Sequence, residues 1–386
     1  MIPKLNMLYI TGARLGNKSA NNVHCAQISA EFENIYDDYH LIGRRIHFFD
    51  SAKKVKEFFI ENLNAKVTSD LTLINRIPLL SDILFKRGIR RLMKRRKFEH
   101  IYSRSILGAH TASNEVAISS KQQDCRVVLE LHEPPRGYEV ALFEEMVDAA
   151  VLHSIVCISE ALMGHMKVTF PKISCAIHVL HDGTKENEIS ESQIESLLSR
   201  FQLPENFVGY SGHLYEGRAN FVINLAEKMP LREFVLMGGE VAHVSAFREK
   251  CDSLDLCNIT LLGHCNQLEV QAFNRSATCL IMPYASDSKA SGNQVTADWM
   301  SPLKMFEYMA SETPIISSDL PVLREILTGA NAHICCISDI QKWTQSIDSC
   351  FDDPNSLKKA AQAKLDVRKY LWAERARRIK TVVFSS

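Results

Sequence analysis

The chain has 386 residues, 46% of them hydrophobic and 23% charged, an ordinary globular balance with room for two or three domains of about 150 residues. Lys+Arg and Asp+Glu both number 45, so no chain-wide charge selects a polyanionic or polycationic partner, and any electrostatic message is local. No run of about 18 apolar residues occurs, so no membrane span is expected. The opening Met1-Ile2-Pro3-Lys4-Leu5-Asn6 lacks the apolar core and cleavage site of a secretion signal, and a cytoplasmic protein is expected. Eleven cysteines without a CxxC pair fit buried free thiols in a reducing compartment better than a zinc ribbon or a redox motif.

Short apolar runs alternate with amphipathic stretches, the pattern of parallel sheets covered by helices. In chain order, strands are predicted at residues 7–11, 40–46, 98–103, 126–131, 154–158 and 176–180. A second series follows at 208–212, 233–237, 259–262, 278–282, 313–316 and 333–337. Helices separate them, for example at 22–34, 221–229, 267–277 and 302–310. Two such series predict two doubly wound lobes with ligand edges at the carboxyl ends of their strands, and a shared ligand in the cleft between them. A polar stretch at 184–206 separates the series. The lobes are therefore expected at 1–184 and 185–365, with a last helix from about 366 to 383, in a terminal segment 366–386, free to pack on either.

The most informative segment is Ser301-Pro302-Leu303-Lys304-Met305-Phe306-Glu307-Tyr308-Met309-Ala310. Ser301 is placed to cap a helix whose first turn carries Pro302. The free N–H groups of such a start, including that of Leu303, suit a diphosphate, and Lys304 adds a full charge. Glu307, one turn on, suits a vicinal diol such as a ribose. The competing view is a plain amphipathic helix. The following Thr313-Pro314-Ile315-Ile316-Ser317-Ser318-Asp319-Leu320-Pro321 tilts the balance.

Residues 301–327 closely resemble the retaining GT-B glycosyltransferases of family 4, whose pattern is S-P-x-K-x-x-E-Y-M-A followed by P-[IV]-[IV]-x-S-D-x-P. Three segments agree in order: Gly209-Tyr210-Ser211-Gly212-His213-Leu214-Tyr215-Glu216-Gly217-Arg218, Phe234-Val235-Leu236-Met237-Gly238-Gly239, and Asn258-Ile259-Thr260-Leu261-Leu262-Gly263-His264. The resemblance implies two Rossmann-like lobes facing across a cleft. It implies Glu307 on the ribose, Arg218 and Lys304 on the diphosphate, and Ser301, Leu303, Gly239 and His264 around the nucleotide. His213 stands where relatives carry another basic or small residue. Fixed positive charge would stabilise the leaving diphosphate without a metal; no D-x-D triplet occurs, and neither a metal nor another cofactor is expected. One position departs from the family: the first acid of its E-x7-E pattern is Trp299 here, with Asp298 one residue out of register. The loop at 285–300 is expected to shape the donor-sugar pocket.

In the first lobe, Val127-Val128-Leu129-Glu130-Leu131-His132-Glu133-Pro134-Pro135 reads as a strand ending at His132. The family has a histidine beside the reacting sugar there, so His132 is the expected catalytic-site histidine, orienting donor or acceptor. Arg104, at another strand end, is a candidate for an anionic acceptor or phosphate. The loop containing Gly12 and Gly16 is a candidate for close approach to diphosphate and acceptor. Residues 86–97 hold eight basic side chains, among them Arg90, Arg91, Lys94 and Arg95, interleaved with Phe85, Ile89, Leu92 and Met93 at helical spacing. A basic amphipathic helix suits an anionic membrane; no nucleic-acid fold accompanies it.

The expected function is hexosyl transfer, with retention, from a UDP- or GDP-sugar to a saccharide acceptor, one that is lipid-linked in surface-polysaccharide synthesis. The protein is expected to sit peripherally on the inner membrane face. A GT-B epimerase acting on the free nucleotide sugar, or a non-catalytic nucleotide-sugar-binding subunit, are the rival readings.

Overall fold

A computed structural model describes residues 5–214, 216–286 and 297–385. The chain divides into two units: Met1–Asp182 with Trp372–Ser386, and Gly183–Leu371.

The first unit holds seven strands, β1 (Asn6–Leu15), β2 (Asp38–Arg45), β3 (Asp70–Ile74), β4 (His100–Ser103), β5 (Arg126–Leu131), β6 (Ser154–Cys157) and β7 (Ala176–Val179). They form one parallel sheet in the order β3-β2-β1-β4-β5-β6-β7. Central strands are apolar on both faces, as helical layers on each side require; Met7, Leu8, Tyr9 and Ile10 are wholly buried. Serines set the helix starts. Ser19 accepts from the Asn22 N–H and Ser105 from that of Gly108, satisfying donors that a helix start leaves open. Strand β3 was not foreseen. Its Asp70-Leu71-Thr72-Leu73-Ile74 is short, half-buried and at the sheet edge, so it carries no continuous apolar run.

The second unit holds β8 (Val208–Ser211), β9 (Phe234–Met237), β10 (Ile259–Gly263), β11 (Cys279–Met282), β12 (Ile315–Ser318) and β13 (His333–Cys335), ordered β10-β9-β8-β11-β12-β13 and parallel. Trp343, Phe234, Leu225 and Ile281 anchor one face of its core. In both sheets the first strand sits beside the fourth. The direction of winding reverses there, and a crevice opens at the carboxyl ends.

Three local expectations are corrected. The polar stretch at 184–206 is not a bare linker. Ser190 and Gln193 form a capping box on a helix Glu191–Phe201 that buries Ile194 and Leu197, and so sparse an apolar face was masked by polar neighbours. The helix expected at 366–383 is broken. Leu371 is extended (φ −69°, ψ 145°), and the piece Trp372–Arg378 starts after it. Finally, the helix Leu303–Ala310 has Pro302, not Ser301, at its cap position, in extended conformation and with no side-chain cap bond. The expectation for the 285–300 loop falls largely on residues 287–296, outside those described.

Candidate functional site

At the carboxyl edge of the second sheet, three strands end in glycines with positive φ: Gly212 (+137°), Gly238 (+113°) and Gly263 (+68°). The Gly212 N–H donates to the Met237 carbonyl (2.8 Å) and the Gly238 N–H to the Gly263 carbonyl (2.6 Å), tying the three strand ends together. A Cβ on Gly238 would overlap the Gly212 carbonyl, and one on Gly212 would sit 2.7 Å from Lys304 Nζ. Only glycine allows backbone this close in this conformation. Gly239 (φ +85°) makes the following turn against Leu214 and Val244.

Facing this edge is the start of helix Leu303–Ala310. The first backbone N–H groups, those of Leu303 and Lys304, have no intrahelical acceptor. Met305 N–H makes the first bond, to the Pro302 carbonyl at 3.0 Å. Lys304 Nζ lies 3.9 Å from the centre of the Tyr210 ring and 5.5 Å from that of Tyr284. Its side chain is half-buried as a whole, but the nitrogen is out of water and has no hydrogen-bond partner. Arg218 lies with its guanidinium 4.3 Å over the other ring, Tyr284. Burial first, and then the Arg218 charge, hold the Lys304 ammonium well below its usual pKa against the pull of Glu307. Such an unpaired amine gives up its proton or waits for an anion.

Glu307 accepts from Gln267 Nε2 at 2.7 Å. Burial pushes its carboxyl above the usual range, opposed by that hydrogen bond and by Lys304. Tyr308, on the same helix, reaches back to the Ser211 N–H at 2.8 Å and fixes the helix against β8. Thus Arg218, distant in sequence, shares one edge with Lys304 and Glu307. Ser301 is buried one residue before the cap. His264 is exposed just after Gly263, and His213 follows Gly212, its imidazole lowered by burial and by the Lys304 charge. Trp299, at the position of the family's first acid, is half-buried in a turn. Tyr210, Tyr284 and Gln267 were missed as site residues. Tyr284 follows Pro283 directly after β11, and that strand-end place was the available signal.

The first unit holds a second constellation at its own switch point. A pocket of about 360 Å³ is lined by Gly12, Asn21, Arg44, Arg104, His132 and Tyr138, among others. Gly16 is not among its lining residues; its N–H is held by Asn22 at 2.8 Å. Glu130, buried, also lines the pocket. His132 Nε2 is 2.6 Å and Arg104 Nε 3.1 Å from its Oε1, while Arg375 Nη2 donates to its Oε2 at 2.7 Å and Tyr102 also donates to that oxygen. Burial alone would neutralise this acid; Arg375, His132 and Arg104 outweigh it and hold Glu130 well below the usual carboxylate range. His24 is stacked on Trp372 (4.9 Å, 25°), and burial, then Arg104, lowers its pKa well below the ordinary value. His24, His132 and Asp182 bring potential ligand atoms within 4.8 Å of one another. Arg104 Nε, however, stands 3.0 Å from His132 Nε2, and a fixed guanidinium there opposes a metal cation.

Residues 206–353 match the family model described as glycosyl transferases group 1. The match lies wholly within the second unit. No curated protein matches the chain in sequence. Among solved structures, Anabaena HepE in complex with UDP is similar at 14% identity, with 99% of this chain and 100% of that one covered and a TM-score of 0.72. The HepE complex with UDP-glucose gives 15%, 99%, 100% and 0.70. Sucrose-phosphate synthase of Thermosynechococcus elongatus gives 12%, 98%, 98% and 0.70, and the lipopolysaccharide outer core galactosyltransferase WaaB 12%, 99%, 99% and 0.66. At such identities the likeness is one of fold. The two sheets are those of a GT-B protein.

Proposed function

We propose that the chain is a retaining, metal-independent hexosyltransferase of the family 4 type, moving a sugar from a UDP- or GDP-sugar to a hydroxyl of a saccharide acceptor. The observation that carries this reading is the buried, unpartnered Lys304 nitrogen beside Arg218 at a glycine-cleared strand edge. A diphosphate supplies the charge that this arrangement lacks. Arg218, Lys304 and the first N–H groups of the 303–310 helix hold the diphosphate and stabilise the charge growing on it as the sugar leaves. Glu307 takes the ribose hydroxyls, with Gln267 fixing its carboxylate. His132, held by Glu130, orients the sugar or the acceptor hydroxyl.

The acceptor is proposed to be lipid-linked, in surface-polysaccharide synthesis, with the protein peripheral on the cytoplasmic membrane face. No described helix is long and apolar enough to cross a membrane. A thermal-shift screen of UDP, GDP and ADP with their sugars tests the donor site. A nucleotide at a hundred times its Kd stabilises by about 2.7 kcal/mol, and Glu307→Ala removes that gain. If no nucleotide shifts the wild type, the donor-site reading is wrong.

A further inference from the structure

Two loops leave neighbouring strands of the first unit at the same edge. Arg44 of β2 pairs in register with Ile74 of β3, so residues after Arg45 and after Ile74 emerge side by side. They are tied together: Arg45 donates to the carbonyls of Phe48 (3.0 Å) and Leu73 (3.4 Å), and Arg44 to Ser81 and Asp82 at 2.7 Å each. The first loop carries Phe48 and Phe49, ring against ring at 5.4 Å. The second carries Leu79 and Leu80. Phe49 is 91% exposed and Leu79 fully so. Leu79 also has φ +65°, a conformation costly for a branched side chain. Two large apolar side chains are thus presented to solvent, one of them at a conformational cost.

The helix Ser81–Arg95 continues from the second loop and buries Phe85, Ile89 and Met93. At 3.6 residues per turn, Ile83, Arg87, Arg90, Arg91 and Lys94 fall within about 100° of arc on the opposite face, and all are exposed. Arg90 is paired with Glu115 at 3.2 Å. No carboxylate of the described residues lies within ion-pair distance of Arg87, Arg91, Lys94 or Arg95. The stripe begins with aliphatic groups at the loop end and continues as unneutralised cations. This order of apolar tip and cationic flank matches the interface of an anionic bilayer, acyl chains inward and phosphates outward. Nucleic acid matches the cations but leaves Phe49 and Leu79 without a role.

We propose that Phe48, Phe49, Leu79, Leu80 and Ile83 insert into an anionic lipid surface while Arg87, Arg91, Lys94 and Arg95 lie on its headgroups. The proposal deepens the membrane partner named above and rests on that reading for the acceptor alone.

The test is co-sedimentation of the full chain with vesicles of phosphatidylcholine, alone or with phosphatidylglycerol. The wild type is expected to bind only the anionic vesicles. Phe49→Ala with Leu79→Ala, both at exposed positions, weakens binding by about ten-fold or more. Arg87→Glu, Arg91→Glu and Lys94→Glu together weaken it by about a hundred-fold or more. Phe49→Trp gives a direct readout: the indole fluorescence it adds over wild type is quenched by lipids brominated on the acyl chains. The proposal is overturned if the wild type ignores anionic vesicles, if the double alanine variant binds like wild type, if the added fluorescence of Phe49→Trp is unquenched, or if RNA is retained in preference to vesicles. The UDP thermal shift is read in lipid-free solution on the same samples, so a lost surface and a lost donor site are told apart.

Discussion

Lys304 sets the chemistry of the proposed nucleotide site, because its nitrogen is buried without a hydrogen-bond partner. The sign of its linkage follows from the lowered pKa. Between that depressed value and the ordinary lysine value near 10.4, the lysine is the neutral amine unless an anion meets it, and a diphosphate is expected to recharge it. Nucleotide binding therefore takes up protons within that window, and affinity rises as pH falls through it. Calorimetry of UDP binding in two buffers of different ionisation enthalpy measures the uptake. Net proton uptake is expected in the wild type and is expected to vanish in Lys304→Arg, which stays charged throughout. Equal heats in both buffers for the wild type would show a lysine already charged. Gly238 makes a steric prediction beside it. Gly238→Ala adds a Cβ that overlaps the Gly212 carbonyl at φ +113° and is expected to cost about 2 kcal/mol or more. A denaturation midpoint unchanged from wild type would mean the strand ends can move apart.

At the scale of elements, the segment Trp372–Arg378 completes the first unit. Arg375 bonds the carbonyls of His181 (2.9 Å) and Leu180 (3.2 Å) as well as Glu130. Arg375→Met leaves a buried carboxylate short of its strongest partner, which is expected to cost about 3–5 kcal/mol. It also loosens the carboxylate that holds His132, so the pH profile of kcat is expected to shift, whereas a purely structural loss would reduce the active fraction and leave the pH profile unchanged. Because Glu130 is depressed in the folded state, its stabilisation is full above the unfolded carboxyl value near 4.3 and is lost as pH falls through the folded one. Glu130→Gln is expected to be less stable at neutral pH and flatter in acid; parallel acid-denaturation curves for the two proteins would contradict this.

Across the whole molecule, both sheets were legible in the sequence wherever a strand is buried on its two faces, because such strands read as short apolar runs between turn signals. The second unit's candidate site was legible because its backbone features are local. Glycines at strand ends and the Ser301–Glu307 spacing record backbone demands locally, and the match over residues 206–353 covers that same part of the chain. What escaped was decided by partners distant in sequence. Glu130 looks like one more strand residue until Arg375, 245 positions later, is folded against it. Tyr210 and Tyr284 look like core aromatics until the cations of Lys304 and Arg218 are found on their faces. The edge strand Asp70–Ile74 and the helix Glu191–Phe201 carry too few apolar residues for a periodicity to show.

The first unit is built from both ends of the chain, and this has a meaning for biosynthesis. Its sheet leaves the ribosome early, but Trp372 and Arg375 arrive only after the roughly 190 residues of the second unit, a delay of about 10–40 s at ordinary elongation rates. Throughout that interval a nascent sheet carries the Glu130 carboxylate without its guanidinium and the His24 ring without its stacking partner. The unit most exposed to chaperones and proteases during translation is therefore the one translated first.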